Sequence, residues 1–149
     1  MGSAAFRKVI GAIWIFHGLG HLLPFLPLFG IRLGPDHNMA SWLLTGPLAN
    51  VGTYLLGPLL WIITVFAFIG AGLAINGRFI MPARCVSLAV TASVLSLLGL
   101  LLFWNAFPML VPNKTGVFLV DVLTLVLLVG LRWQPCPHQM VTPHQVHPA

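Results

Sequence analysis

The 149-residue chain is 58% hydrophobic and only 6% charged, and its mean hydropathy is +0.99. A soluble domain carries roughly 25% charged residues, so the composition excludes a water-exposed globule and favours a protein whose solvent is lipid. The seven basic residues give a net charge of +5, but they stand singly or in pairs and form no basic face. This spread excludes a nucleic-acid-binding protein and is typical of residues that set membrane topology.

Length and the positions of proline and glycine divide the chain into apolar segments, each suited to crossing a bilayer core of about 30 Å as a helix. The predicted spans cover about residues 9–29, 51–75, 85–107 and 116–131. They predict an all-α fold, a polytopic membrane protein with a four-transmembrane-helix bundle over residues 1–133. Residues 134–149 contain four prolines and predict a disordered tail.

The basic residues predict the orientation of this bundle. If the N-terminus is inside, five basic residues lie on the inner side and two on the outer side. Because cytoplasmic loops carry the excess of lysine and arginine, this bias predicts that both termini are cytoplasmic and that the membrane is a plasma or inner membrane. The inner set is Arg7, Lys8, Arg78, Arg84 and Arg132, and the outer set is Arg32 and Lys114.

Two cysteines, Cys85 and Cys136, fall on the predicted cytoplasmic side. A reducing cytoplasm predicts that both remain thiols, and the pair is too small and too widely spaced for a disulfide framework. The sequence has no C-x-x-C motif, which argues against a thiol-redox enzyme.

The longest connection, over residues 30–50, lies on the predicted outer side. Residues 35–38 read Pro-Asp-His-Asn, which is a turn signature. Residues 39–44 follow and contain Trp42, a side chain suited to the membrane interface, so we expect a short interfacial helix there.

The sharpest group of polar residues is a His-Gly-Leu-Gly-His sequence in the first span. His17 and His21 are four residues apart, so on a helix they share one face and stand about one turn apart. Pro24 follows, and since it has no N–H for the carbonyl of Gly20, we expect a kink beside His21. A kinked helix with two imidazoles predicts the floor of a small site facing the bundle.

Asp121, in the fourth span, is the second ionisable group at membrane depth. At a rise of ~1.5 Å per residue, His21 lies roughly 12 Å below the outer end of its span and Asp121 roughly 10 Å below Lys114. The matching depths predict a contact between His21 and Asp121, with His17 coupled more weakly to the carboxylate. A carboxylate beside an imidazole suits proton relay, quinone hydrogen bonding or metal ligation.

Three more residues, in the outer halves of the second and third spans, are predicted to complete the pocket wall: Tyr54, Trp104 and Asn105. A haem b within one chain is disfavoured, because bis-histidine ligation needs two facing helices and only the first span carries histidines at membrane depth. A homodimer would supply the second ligand. No set of residues matches the spacing of a closed metal site, so no metal is predicted.

A purely structural interpretation of these polar residues stays open. The histidines can hydrogen-bond across to serine or threonine and hold the bundle together, and Asp121 can pair with Lys114 near the interface. Ser93 and Ser96 are expected to bond back to carbonyls of their own helix.

Residues 6–22 contain a basic pair, a glycine, an apolar run and a His-Gly pair at 17–18. This order resembles the opening of DoxX-like membrane proteins, which are small four-helix proteins in which a lysine shortly follows the His-Gly pair. Here His21 stands in place of that lysine. The glycine-rich second span, which ends in Asn-Gly-Arg at 76–78, is also similar. The resemblance implies a bacterial or archaeal plasma-membrane protein, in a family whose better-understood members resemble quinone-linked sulfur oxidoreductase subunits.

The sequence favours two functions. The first is a small redox-associated membrane subunit that holds quinone or another apolar ligand in the outer leaflet with His17, His21 and Asp121. The second is an accessory or scaffolding subunit whose polar residues fix helix packing. A small transporter is least favoured, because the short spans show no inverted repeat. Besides the bilayer, we expect a protein partner or a homo-oligomer.

Overall fold

The computed structural model describes residues 4–44, 46–78 and 82–136, and within these ranges all regular structure is helical. Four helical segments are long and apolar enough to cross a membrane: Ala4–Phe29, Leu48–Ile75, Cys85–Leu102 and Leu110–Gly130. The prediction of an all-α chain with four candidate spans is therefore confirmed by length and composition.

Five α-helices build these segments. They are α1 (Ala4–Gly20), α2 (Pro47–Val51), α3 (Gly57–Ile75), α4 (Cys85–Leu102) and α5 (Thr115–Leu125). A 3₁₀ segment, Leu23–Phe29, continues α1, a π-helical turn joins α2 to α3, and another extends α5 to Gly130. Along the bundle, α3 packs against both α1 and α4, and α4 packs against α5.

The third predicted span corresponds to α4, which ends earlier than the predicted boundary at residue 107. The chain leaves the helix at Phe103, whose φ is −122° and ψ is 53°, and a short 3₁₀ turn, Trp104–Ala106, follows. Phe103 and Phe107 are apolar because they fill the core at this end of the bundle, where both are buried. The apolar run therefore continued past the helix, and the predicted span was about one turn too long.

The backbones of α1 and α3 touch at a pair of glycines. A Cβ built on Gly72 would lie 2.6 Å from the carbonyl oxygen of Gly11, and a Cβ on Gly11 would lie 2.8 Å from that of Gly72. Small residues let membrane helices approach closely and pack by van der Waals contact. This crossing sets the distance between α1 and α3 and hence the position of the histidines farther along α1.

We expect Gly72→Ala to lower the free energy of unfolding by about 1–3 kcal/mol, because backbone atoms of α1 cannot move aside for a methyl group. Gly116→Ala in α5 is the matched control, since a Cβ there meets nothing within 4 Å and only helix propensity changes. Chemical unfolding in detergent micelles measures both variants. Equal stability of the two would contradict the close crossing.

The distribution of polarity is the reverse of that in a water-soluble globule. Each long helix turns large apolar side chains outward, and examples are Phe16, Phe66, Leu101 and Leu123, with 73%, 68%, 61% and 61% exposure. Soluble monomers rarely expose contiguous apolar surface on this scale. Among the described residues, polar side chains such as Thr64, Ser96 and Asp121 are instead fully buried.

A disulfide joins Cys85 at the start of α4 to Cys136 beyond α5, with a Cα–Cα distance of 6.1 Å. The prediction that both cysteines remain thiols is therefore wrong. Although 51 residues separate them in sequence, antiparallel α4 and α5 return the chain to the same end of the bundle. Of the predicted disordered tail, residues 134–136 lead to this bond, and residues 137–149 lie outside the described residues.

The connection over residues 30–44 covers the opposite end of the bundle. His37 accepts a hydrogen bond from the Leu33 amide at Nδ1 (3.1 Å) and donates from Nε2 to the Ala106 carbonyl (3.0 Å). Ser41 and Trp42 donate to the carbonyls of Leu102 and Leu101, which have no partner within their own helix. Because residues 39–44 cap α4 in this way, they are not the predicted interfacial helix.

Candidate functional site

The end of α1 turns His21 into the bundle. The α-helix ends at Gly20, and the amides of His21 and Leu22 bond to carbonyls three residues back, at 3.1 and 3.0 Å. Pro24 is buried in the following segment and offers no donor. His21 has no exposed surface. The prediction that His21 faces the interior is confirmed, and the α-helix gives way to a 3₁₀ segment at the place where a kink was predicted.

Two hydrogen bonds set the register between α1 and α5. Trp14 Nε1 donates to Thr124 Oγ1 at 3.2 Å, and His17 Nε2 lies 3.0 Å from Asp121 Oδ1. Three residues forward on α1 correspond to three residues back on α5, as antiparallel helices require. Asp121 is fully buried, so this contact supplies a partner for a carboxyl group that has no access to solvent.

Ser96 of α4 joins His21 to the same carboxyl group. His21 Nε2 lies 2.6 Å from Ser96 Oγ, and Ser96 Oγ lies 2.5 Å from Asp121 Oδ2. The other ring nitrogen of His21, Nδ1, bonds to the backbone carbonyl of His17 at 2.8 Å. The four side chains His17, His21, Ser96 and Asp121, called here the polar cluster, therefore form one hydrogen-bonded chain across α1, α4 and α5.

The predicted direct contact between His21 and Asp121 is wrong, and so is the weaker coupling expected of His17. His17 touches Asp121 directly, whereas His21 reaches it through Ser96. The depth comparison took Phe29 and Lys114 as level with each other. Because Asp121 contacts His17, which stands one turn deeper than His21, Asp121 lies deeper than that comparison placed it.

Aromatic rings enclose His21. Its ring centroid lies 5.6 Å from that of Trp61, 5.7 Å from Phe68 and 5.7 Å from Phe107. Trp61 and Phe107 belong to the core at one end of the bundle and Phe68 to the core at the other, so His21 lies between the two. These rings give His21 apolar neighbours beside the members of the polar cluster.

His17 connects the polar cluster to the outside of the bundle. A groove of about 510 Å³ runs between α1 and α5 on their outward faces. His17 is the polar side chain in its lining, and its side chain is 8% exposed. The groove is lined by Val9, Ala12, Ile13, Phe16, His17, Gly116 and Val120.

The other predicted members of the site lie elsewhere. Tyr54 is 71% exposed on the outward face of its helix. The carbonyl of Asn105 accepts the Asn38 amide at 3.0 Å, at the end of the bundle that the long connection covers. Lys114 lies over the Trp104 ring, with Nζ 4.7 Å from its centroid, and is not the partner of Asp121.

The chemistry of the cluster bears on a metal ion as well as on protons. Nitrogen atoms of His17 and His21 and a carboxylate oxygen of Asp121 lie within 4.8 Å of one another. Around a zinc ion with bonds of ~2.0–2.1 Å, ligand atoms would stand roughly 3.3 Å apart. The contacts of Ser96, at 2.6 and 2.5 Å, are instead hydrogen-bond distances, so the observed arrangement fits protons.

Ser96 is the member of the site that sequence reasoning missed, because it was expected to bond within its own helix. Its position near the middle of an apolar span was the available signal, since a buried hydroxyl in such a helix commonly bonds to a neighbouring one. The groove was missed as well, because it depends on how far apart α1 and α5 stand.

No family model, no curated protein and no solved structure matches this chain.

Proposed function

We propose that this chain is an integral membrane protein of the plasma or inner membrane that binds a quinone in the groove between α1 and α5. His17 would bond to the quinone through Nδ1, which accepts from a quinol hydroxyl when His17 is neutral and donates to a quinone carbonyl when His17 is an imidazolium. In this role the protein is a redox-associated subunit. A partner protein exchanges electrons with the quinone, while this chain binds the ring and exchanges protons with it.

The observation that carries the proposal is the position of His17. It is the polar residue of an otherwise apolar groove, and its Nε2 is bonded to a buried carboxyl group. Its Nδ1 is therefore the ring nitrogen left to meet a ligand. Imidazoles held in this way by a carboxylate have a fixed tautomer and orientation, which suits them to proton exchange with a bound ligand.

The dimensions and polarity of the groove suit the same class of ligand. Sites for small molecules are typically ~300–1,000 Å³, largely apolar, with a few placed polar groups. The groove of about 510 Å³ faces the surface that would meet lipid. A quinone could enter it sideways from the bilayer, with its ring beside His17 and its apolar tail along Ile13 and Val9.

We further propose that both termini are cytoplasmic, with His17, which stands about half-way along Ala4–Phe29, near the middle of the bilayer. The support is the excess of basic residues at the end of the bundle that holds the termini, five against two. The disulfide lies at this same end and favours an oxidising compartment. The proposal follows the charges, and it therefore requires that the bond does not form while this end of the bundle is in a reducing cytoplasm.

The orientation predicts which reagents reach the two ends of the bundle. A cysteine introduced at Asn38, on the long connection, should react with an impermeant maleimide in intact cells. A cysteine introduced at Arg78 should react only after the membrane is opened. Both introductions are made in a chain whose native cysteines are replaced by serine. The reverse pattern would contradict cytoplasmic termini.

Quinone binding is tested by filling the groove. A leucine at Gly116 enters open space beside His17 and should weaken binding of a short-chain ubiquinone to the purified protein at least tenfold, or ~1.4 kcal/mol. Gly130→Leu is the matched control, because it lies in the same candidate span, also has open space, and is not part of the groove. Titration followed by tryptophan quenching measures both.

Two outcomes of that titration would contradict the proposal. One is equal affinity in the Gly116→Leu and Gly130→Leu variants, and the other is binding that does not saturate in the unmodified protein. Either would favour the second candidate function, an accessory or scaffolding subunit. That candidate is supported by the polar cluster itself, whose hydrogen bonds join α1, α4 and α5 and would hold the bundle together without any ligand.

A further inference from the structure

The hydrogen bonds of the polar cluster require one more proton than the cluster holds when both histidines are neutral and Asp121 is ionised. His21 Nδ1 faces the backbone carbonyl of His17 at 2.8 Å. A carbonyl oxygen carries no hydrogen, so Nδ1 must carry one and donate it. His21 is therefore a neutral imidazole if Nε2 carries no hydrogen and an imidazolium if it does.

Ser96 has a single hydroxyl hydrogen for two close neighbours. Its oxygen lies 2.6 Å from His21 Nε2 and 2.5 Å from Asp121 Oδ2. If His21 were neutral and Asp121 ionised, both neighbours would offer only lone pairs, and one of these short contacts would be repulsive. Both contacts are hydrogen bonds only if one more proton is present.

We propose that the polar cluster is a buried site for one exchangeable proton, and that Ser96 relays this proton between His21 and Asp121. In one arrangement His21 is an imidazolium that donates to Ser96, and Ser96 donates to the Asp121 carboxylate. In the other, Asp121 is a carboxylic acid that donates to Ser96, and Ser96 donates to neutral His21. The two differ by the shift of two hydrogens, and the number of protons is the same.

The surroundings contain no other group to balance this charge within the described residues. His21 also faces Trp61, Phe68 and Phe107, and none of these side chains has an ionisable group. Lys114, two turns from Asp121 along α5, lies against Trp104. The titratable groups that face one another are therefore His17 and His21 on α1 and Asp121 on α5, with the Ser96 hydroxyl on α4 between them.

This site extends the role of His17. Because Asp121 Oδ1 bonds to His17 Nε2 and His17 lines the groove, a proton at Asp121 has a route to the groove through one imidazole. The inference does not depend on quinone, since it rests on contacts among the protein's own side chains. It would equally supply a proton to any other acceptor that docks beside His17.

The test measures the protonation of two residues in ligand-free protein at neutral pH. Nitrogen-15 NMR reports whether His21 Nε2 carries a hydrogen, and the infrared carboxyl band that disappears in Asp121→Asn reports protonated Asp121. We expect the two fractions to sum to one. In Ser96→Ala the sum should fall. Without the hydroxyl, no short contact requires an extra hydrogen on His21 Nε2 or Asp121 Oδ2.

Two variants serve as controls. Ser96→Thr retains the hydroxyl and should restore the sum to one. Ser93→Ala removes a hydroxyl that is just as buried on α4 and has no hydrogen-bond partner, so it should leave both signals unchanged. Neutral His21 together with ionised Asp121 in the unmodified protein would overturn the proposal, whether or not any variant folds. So would a stoichiometric zinc ion in the purified protein, since it would replace the proton.

Discussion

Asp121→Ala is expected to lower the free energy of unfolding by about 2–6 kcal/mol, because it leaves two buried polar groups unsatisfied at about 1–3 kcal/mol each. The variant leaves His17 Nε2 and Ser96 Oγ without the carboxyl oxygens that they contact at 3.0 and 2.5 Å. Neither group can reach water instead, because the carboxyl position has no exposed surface. Chemical unfolding in detergent micelles gives the value.

Asp121→Asn is the matched control for this variant. Its carbonyl oxygen can accept from His17 and its amide can donate to Ser96, which reproduces the hydrogen bonds of a protonated carboxyl group. We expect a loss below ~1.5 kcal/mol. If asparagine and alanine cost the same, the hydrogen bonds at this position do not determine stability.

The order of contacts also predicts how double variants behave. Removing His17 and Asp121 together should cost less than the sum of the single losses, because each single variant leaves the other partner buried and unsatisfied. The coupling of His21 to Asp121 should be smaller in the presence of Ser96→Ala, since Ser96 connects them. Strict additivity for His17 and Asp121 would mean that the two side chains do not touch in solution.

Cys136→Ser is expected to lower the free energy of unfolding by about 2–4 kcal/mol, because the disulfide closes a long loop that includes α4 and α5. Loop-closure entropy alone would give a loss of about 4 kcal/mol for a loop of this length. We expect a smaller loss, because helices that persist in the unfolded state already restrict the chain. A reducing agent should destabilise the unmodified protein by the same amount and leave Cys136→Ser unchanged.

Thiol counting provides the control for this experiment. If the disulfide forms in the cell, protein purified without reductant shows no free thiol when denatured and two after reduction, since the chain has two cysteines, and the proposed cytoplasmic termini are wrong. Two free thiols before reduction would show that the bond is absent in the cell. That result would agree with a cytoplasmic location of this end of the bundle.

The parts of the fold that could be predicted from sequence are those that depend on local properties. Apolar length alone indicates the candidate spans, because a bilayer requires it. The spacing of His17 and His21 and the missing donor of Pro24 predict a shared face and a break in the helix, and both are local consequences of backbone geometry. These predictions needed no knowledge of how the helices pack.

The remaining features depend on contacts between helices. That Asp121 bonds to His17 rather than directly to His21 follows from the register of α1 against α5, which composition does not specify. Ser96 enters the site because of the rotation of α4, and Tyr54 stays outside because its helix turns it outward. The Cys85–Cys136 bond required knowing that two distant segments end at the same side of the bundle.

The measurement that tests the account most directly is an infrared difference spectrum between the quinone and quinol states of the loaded protein. Reduction of a quinone to a quinol takes up two electrons and two protons, and an electrode supplies the electrons. Because His17 links the groove to Asp121, we predict a change in the carboxyl band that is lost in Asp121→Asn and retained in Tyr54→Phe. A spectrum in which the quinone is reduced without any carboxyl change would contradict coupling between the ligand and the polar cluster.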